Sequence, residues 1–132
     1  MAQLLLRTFA SNALDPAMDA GETAALAAVR RARDFIEANA ALPIALAEIA
    51  TAARMSPRGI QSAFHRHLGR SPMEHLRRVR LDAVHQELRA ADPLSGETVS
   101  AVARRWGFAH LGRFAAAYRA QFGTSTSATL RH

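Results

Sequence analysis

Arg58, Gln61, Ser62 and His65 are hydrogen-bonding side chains interleaved with the apolar residues Ile60, Ala63, Phe64 and Leu68. Wound at about 3.6 residues per turn, the two sets separate onto opposite faces of one helix, one for burial and one for solvent. The polar set matches the chemistry of nucleobase edges and phosphate oxygens: arginine pairs with guanine and glutamine with adenine. A second stretch places Leu111, Gly112, Ala115, Ala116 and Arg119 opposite Phe114, Tyr118 and Phe122. Alanine there offers only apolar contact, for instance to a thymine methyl. Direct base reading is thus expected mainly of Arg58, Gln61, Ser62 and His65, with Leu111, Gly112, Ala115 and Ala116 forming the thinner second face. Phosphate contacts are expected of Arg66, Arg77, Arg78, Arg113 and Arg119.

The charge distribution fits a polyanionic partner. All 17 basic residues are arginine, and the net charge is +6. Residues 1–53 carry four arginines against six acids, whereas residues 54–89 carry eight against three. A short acidic loop with Asp92 and Glu97 follows, and residues 98–132 carry five arginines and no acid. Two basic blocks on a small chain are an electrostatic footprint for nucleic acid. The competing reading of the charge is a solvated basic surface in which arginine replaces lysine. The chain has no cysteine, hence no disulfide framework or thiolate metal site. The Leu4-Leu5-Leu6 run is too short for a signal-peptide core, and a cytoplasmic location is expected.

The elements needed to hold these side chains are all helical. Alanine is abundant, strict alternation is rare, and an all-α fold of seven helices is expected. Residues 1–18, broken by Asn12, Asp15 and Pro16, read as a poorly structured leader, a remnant of an upstream region. A stripe of Leu26, Val29, Ala32, Phe35 and Ile36 predicts a helix over 22–39, ended by Pro43. A short helix over 45–53 follows. Ser56-Pro57 starts the next, and Gly69 stops it. Ser71-Pro72-Met73-Glu74 is a capping box opening a long helix over 72–91. Thr98 caps a short helix, another spans about 110–121, and Ser125 caps a last turn.

These elements repeat. Ile60, Phe64, Leu68, Gly69 and Ser71 return 54 residues later as Phe114, Tyr118, Phe122, Gly123 and Ser125. Leu46, Ile49 and Ala50 return after only 53 residues as Val99, Val102 and Ala103, so the second copy has one extra residue in its turn. Each copy reads as a helix-turn-helix, over about 44–69 and 98–123, joined by the long helix in one domain over 19–132. Ala50 and Ala103 fit the close helix crossing, and Gly107 fits a turn that requires positive φ. Arg54 stands at the comparable place of the first copy.

The string Leu46-Ala-Glu-Ile-Ala50, then Met55 to Phe64, then Leu68 to Arg77 resembles the first half of the AraC/XylS DNA-binding domain. Val102 to Phe108, followed by Phe114, Tyr118, Phe122 and Gly123, resembles its second half. The resemblance covers roughly residues 22–132 and departs at Arg54 and at Thr126, where the family commonly has proline. It implies a homeodomain-like pair of helix-turn-helix units that binds promoter double-stranded DNA sequence-specifically. It also implies a bacterial transcription regulator, RNA polymerase as a further partner, and an N-terminal effector or dimerisation domain outside this chain.

Other chemistry is weaker. His65 and His67 lie two apart, on different sides of a helix, and make a poor metal chelate. No metalloprotease motif, phosphate loop or nucleophile elbow occurs, so neither catalysis nor a cofactor is expected. His75 and His85 read as helix-surface residues and Trp106 as core, with base stacking its alternative. Arg77, Arg78 and Arg80 on the long helix serve either phosphate contact or plain solvation. RNA is disfavoured because the aromatics sit on stripes read as buried.

Overall fold

A computed structural model describes residues 16–131, with side chains from residue 20 onward. Seven helices and no strand occur among them: α1 (Pro16–Asn39), α2 (Leu46–Ala53), α3 (Pro57–Leu68), α4 (Pro72–Ala90), α5 (Val99–Arg105), α6 (Leu111–Phe122) and α7 (Thr126–Arg131). Of the leader expected over 1–18, residues 1–15 lie outside the described residues. Residues 16–18 belong to α1, which begins six residues earlier than the stripe indicated. Pro16, read as a breaker, is its first residue, where a missing N–H costs nothing. No helix among the described residues is long and apolar enough to cross a membrane.

The caps explain where the helices start. Ser56 Oγ accepts from Gly59 N–H at 3.0 Å, and Thr98 Oγ1 from Ala101 N–H at 3.1 Å. Ser71 and Glu74 close the expected capping box, at 3.1 Å and 2.7 Å. The Ser71 N–H, donating to the Glu74 carboxylate, is the main reason that its pKa is lowered. At the start of α2 the Glu48 carboxylate accepts from Ala45 N–H at 2.6 Å.

Two cores divide the chain. Ala28, Val29, Ala32 and Ile36 of α1 pack with Ile49, Ala50, Ile60, Phe64 and Leu76. Leu26, expected on that stripe, is 47% exposed, and Ala25 is buried in its place. The second core joins Leu81, Val84 and Leu88 of α4 to Val102, Ala103, Phe114 and Tyr118. The linker helix therefore contributes its first turns to one core and the rest to the other. Trp106 packs against both, and its indole N–H donates to Glu87 at 2.6 Å. Arg105 pairs with the same Glu87 and with Glu97.

The two turns superimpose in logic and differ by one residue. Arg54 (φ 62°) and Gly107 (φ 87°) are both left-handed. The next amide closes each turn: Met55 N–H donates to Ala50 C=O at 3.1 Å and Phe108 N–H to Ala103 C=O at 3.0 Å. After that point the first copy reaches its cap, Ser56, directly, whereas the second inserts Ala109 before its cap, His110. The extra residue thus lies between the left-handed residue and the second helix of its unit, α6.

Candidate nucleic-acid interface

Helix α3 keeps its apolar residues inside, with Ile60, Ala63 and Phe64 at 2% exposure or less. Its other side presents Arg58, Gln61, Ser62, His65 and Arg66, all exposed. Its anchor, Phe64, meets the His75 ring edge-on at 5.5 Å. Helix α6 is anchored by Phe114 and Tyr118 and exposes Gly112, Arg113, Ala115, Ala116 and Arg119. Leu111 departs from its expected place: it is half-buried and packs on the second core. Gly112 is also less open than its lack of a side chain implies, because a Cβ there would stand 3.6 Å from the His110 ring.

The arginines separate by role. Arg77 and Arg78 of α4 are exposed. With Arg70 they line a concavity that Ala117, Ala120 and Gln121 of α6 close on the other side. Arg77 also lines a second concavity of about 330 Å³, together with Gly107, His110 and Arg113. Arg80, for which phosphate contact and solvation were both open, does neither. Its Nε donates to Ala40 C=O at 2.8 Å and its Nη2 to Leu42 C=O at 2.7 Å. Burial lowers its pKa from the usual arginine value. Arg31 acts similarly, donating to Ala53 C=O at 2.8 Å and so closing the end of α2. Arg31 thus satisfies a carbonyl at the end of α2, and Arg80 ties down the turn that follows α1.

Two histidines read as surface residues pack against other helices, His75 buried and His85 half-buried. His75 is 6% exposed. Its Nδ1 accepts from Arg70 Nε at 3.2 Å, so its ring proton sits on Nε2, facing Glu37 at 3.4 Å. Burial lowers its pKa, outweighing the opposing hydrogen bond to Glu37. His85 stacks on Phe122, with ring centroids 4.1 Å apart. Its Nδ1–H donates to the Tyr118 hydroxyl at 2.6 Å, which donates to Thr129 Oγ1 at 2.8 Å, which donates to Ser125 C=O at 3.2 Å. Desolvation raises the Tyr118 pKa, keeping it a neutral donor. A helical-wheel argument assigns both histidines to the surface because it knows only one helix, whereas their partners lie on others.

His110 is the N-cap of α6. Its Nδ1 accepts from Arg113 N–H at 3.2 Å, capping α6 as Ser56 caps α3. The 54-residue repeat contains that signal, since it carries Ser56 onto His110.

The architecture has known counterparts. A family model described as a helix-turn-helix domain matches residues 49–132. The chain is 43% identical over 103 residues to the probable thc operon regulatory protein of Rhodococcus erythropolis, covering 78% of this chain and 31% of that protein. It is 36% identical over 131 residues to XylDLEGF operon transcriptional activator 2 of Pseudomonas putida, covering 98% of this chain and 80% of that one. The chain thus spans about a third of the first relative and four-fifths of the second. Among solved structures, a probable AraC family transcriptional regulator from Rhodopseudomonas palustris is similar at a TM-score of 0.73 and 42% identity, covering 79% of this chain and 94% of that one. With its paired helix-turn-helix units and these relatives, the chain belongs to the AraC/XylS family of transcription regulators and carries that family's DNA-binding domain.

Proposed function

We propose that the chain binds double-stranded DNA sequence-specifically and thereby regulates transcription, with α3 and α6 entering successive major grooves. The observation that carries this reading is the duplicated unit: two anchored helices, each with its polar or small face exposed and arginines beside it. The 19-residue linker helix measures about 28 Å at 1.5 Å per residue, close to one turn of B-DNA at about 34 Å. Within this reading Arg58, Gln61, Ser62 and His65 contact bases, and Ala115, Ala116 and Gly112 present a small apolar face. Arg66, Arg77, Arg78, Arg113 and Arg119 contact phosphates. The helix-turn-helix units occupy about 44–69 and 98–123 around the linker. RNA polymerase and an upstream effector or dimerisation domain are its expected partners, and the cytoplasm its location.

The test is a gel-shift comparison of duplex DNA, RNA and heparin over a salt series. Several arginine–phosphate contacts, at about 0.9 in slope each, should give a log–log slope steeper than about −3 on duplex. A slope near zero, or equal affinity for RNA and heparin, removes the reading.

A further inference from the structure

We propose that His110 joins Arg77 and Arg113 in seating one backbone phosphate of duplex DNA, in the cleft between the linker helix and the second unit. The inference rests on the DNA-binding reading and adds a contact residue and a shared phosphate to it. Its starting point is the proton on the His110 ring. Nδ1 accepts the Arg113 N–H at 3.2 Å, so the ring holds no proton there. The neutral ring then carries its hydrogen on Nε2, as a donor. The residue is exposed, its ring lies over Gly112, and it lines the concavity of about 330 Å³ that Arg77 and Arg113 also line. Two guanidinium groups and one N–H line this concave surface as donors, with no carboxylate among its lining residues. Glu74, whose pKa Ser71 lowers and Arg77 helps to lower, lines the adjoining concavity and not this one.

A phosphate fits this set better than a base does, because its anionic oxygens accept from all three donors and carry no sequence information. The second unit also has the greater need of such a contact, since its reading face is alanine and glycine. Arg77 stands on the linker helix while His110 and Arg113 stand on the second unit. One phosphate held by all three would fix the angle between them on DNA.

His110→Ser separates capping from contact, because serine is a strong N-cap but cannot reach as the imidazole does. The probe is a 30-base-pair duplex selected by this chain from a random pool, made with single methylphosphonates at successive positions. His110→Ser should bind it about tenfold more weakly, about 1.4 kcal/mol, with an unchanged or raised melting temperature. Its salt slope should stay that of the wild type, whereas Arg77→Ala and Arg113→Ala, sharing one phosphate, should each lower the slope by less than about 0.9 and the double variant by about 0.9. One and the same methylphosphonate should weaken the wild type most and His110→Ser, Arg77→Ala and Arg113→Ala each by less, because each variant has already lost one of the three contacts to that phosphate. Wild-type affinity in His110→Ser overturns the proposal, as does a set of variants that map to different phosphates. Failure of the wild type to bind any duplex overturns the DNA-binding reading along with it.

Discussion

Arg80 and Gly107 face each other across the junction of the two helix-turn-helix units: a Cβ on residue 107 would stand 3.5 Å from Arg80 Nη1. The same guanidinium holds the carbonyls of Ala40 and Leu42 beyond the end of α1. One side chain on the linker helix thus holds the turn after the first helix and lies against the turn of the second unit. Arg80→Ala should lower unfolding stability by about 1–3 kcal/mol, the cost of leaving charge-assisted bonds unmade. Arg77→Ala and Arg78→Ala, both exposed, should move it by no more than about 0.5 kcal/mol. Urea unfolding without DNA checks this. Equal losses for all three would return Arg80 to the surface.

The paired left-handed residues predict opposite responses. Arg54 at φ 62° carries a Cβ where glycine would carry none. Arg54→Gly removes left-handed strain of about 1–2 kcal/mol, offset in part by the entropy glycine adds to the unfolded chain. Its melting temperature should be unchanged or slightly raised. Gly107→Ala should lower the melting temperature, because it adds about 1–2 kcal/mol of strain while the same backbone bond retains the turn geometry. Differential scanning calorimetry distinguishes the two, and a large loss for Arg54→Gly would contradict the equivalence.

His75 makes stability depend on pH. Its folded pKa is lowered from 6.5, mainly by burial, so the unfolded chain binds the extra proton first. Stability is therefore fully present above about 6.5 and falls as pH drops through that value, at up to about 1.36 kcal/mol per pH unit. His75→Gln, which offers an acceptor to Arg70 and a donor to Glu37, should flatten this fall. Urea midpoints at pH 7.5 and 5.5 for both proteins give the comparison. Parallel decline in the two would assign the effect to other groups.

The Tyr118 hydroxyl ties α4, α6 and α7 together through His85 and Thr129. Tyr118→Phe keeps the ring and should cost about 1–2 kcal/mol for the partners left unsatisfied. Phe64→Ala, which empties a fully buried site, should cost about 3–5 kcal/mol. If Phe64→Ala left the melting curve in place and changed only DNA selectivity, the inner and outer faces of α3 would be reversed.

Base reading should be unequal between the units. Arg58→Ala and Gln61→Ala should each cost about 1–3 kcal/mol on the preferred duplex and relax base choice, with melting temperatures nearly constant. Arg119→Ala should weaken binding to all sequences alike and lower the salt slope by about one. Selection from random duplexes decides between them. Identical sequence logos for Arg58→Ala and Arg119→Ala would make Arg58 a phosphate contact.

The sequence by itself determined whatever depends on neighbours a few residues away. Ser56, Ser71 and Thr98 start helices because a side-chain oxygen reaches an amide three residues on. The 3.6-residue period put Phe64 and Tyr118 inside and Arg58 and Gln61 outside, and the repeat revealed one additional residue in the second turn. Tertiary structure decided what depends on residues about 30 to 40 positions away. Arg77, Arg78 and Arg80 are alike in sequence, yet only Arg80 finds carbonyls 38 and 40 residues back. His75 and His85 lie on polar-looking positions of α4, but other helices bring Glu37 and Tyr118 to them. A long side chain with an apolar stem and a polar tip is equally at home at the surface and between helices. Which place it takes is fixed by how the helices pack, and the pattern within one helix does not contain that information.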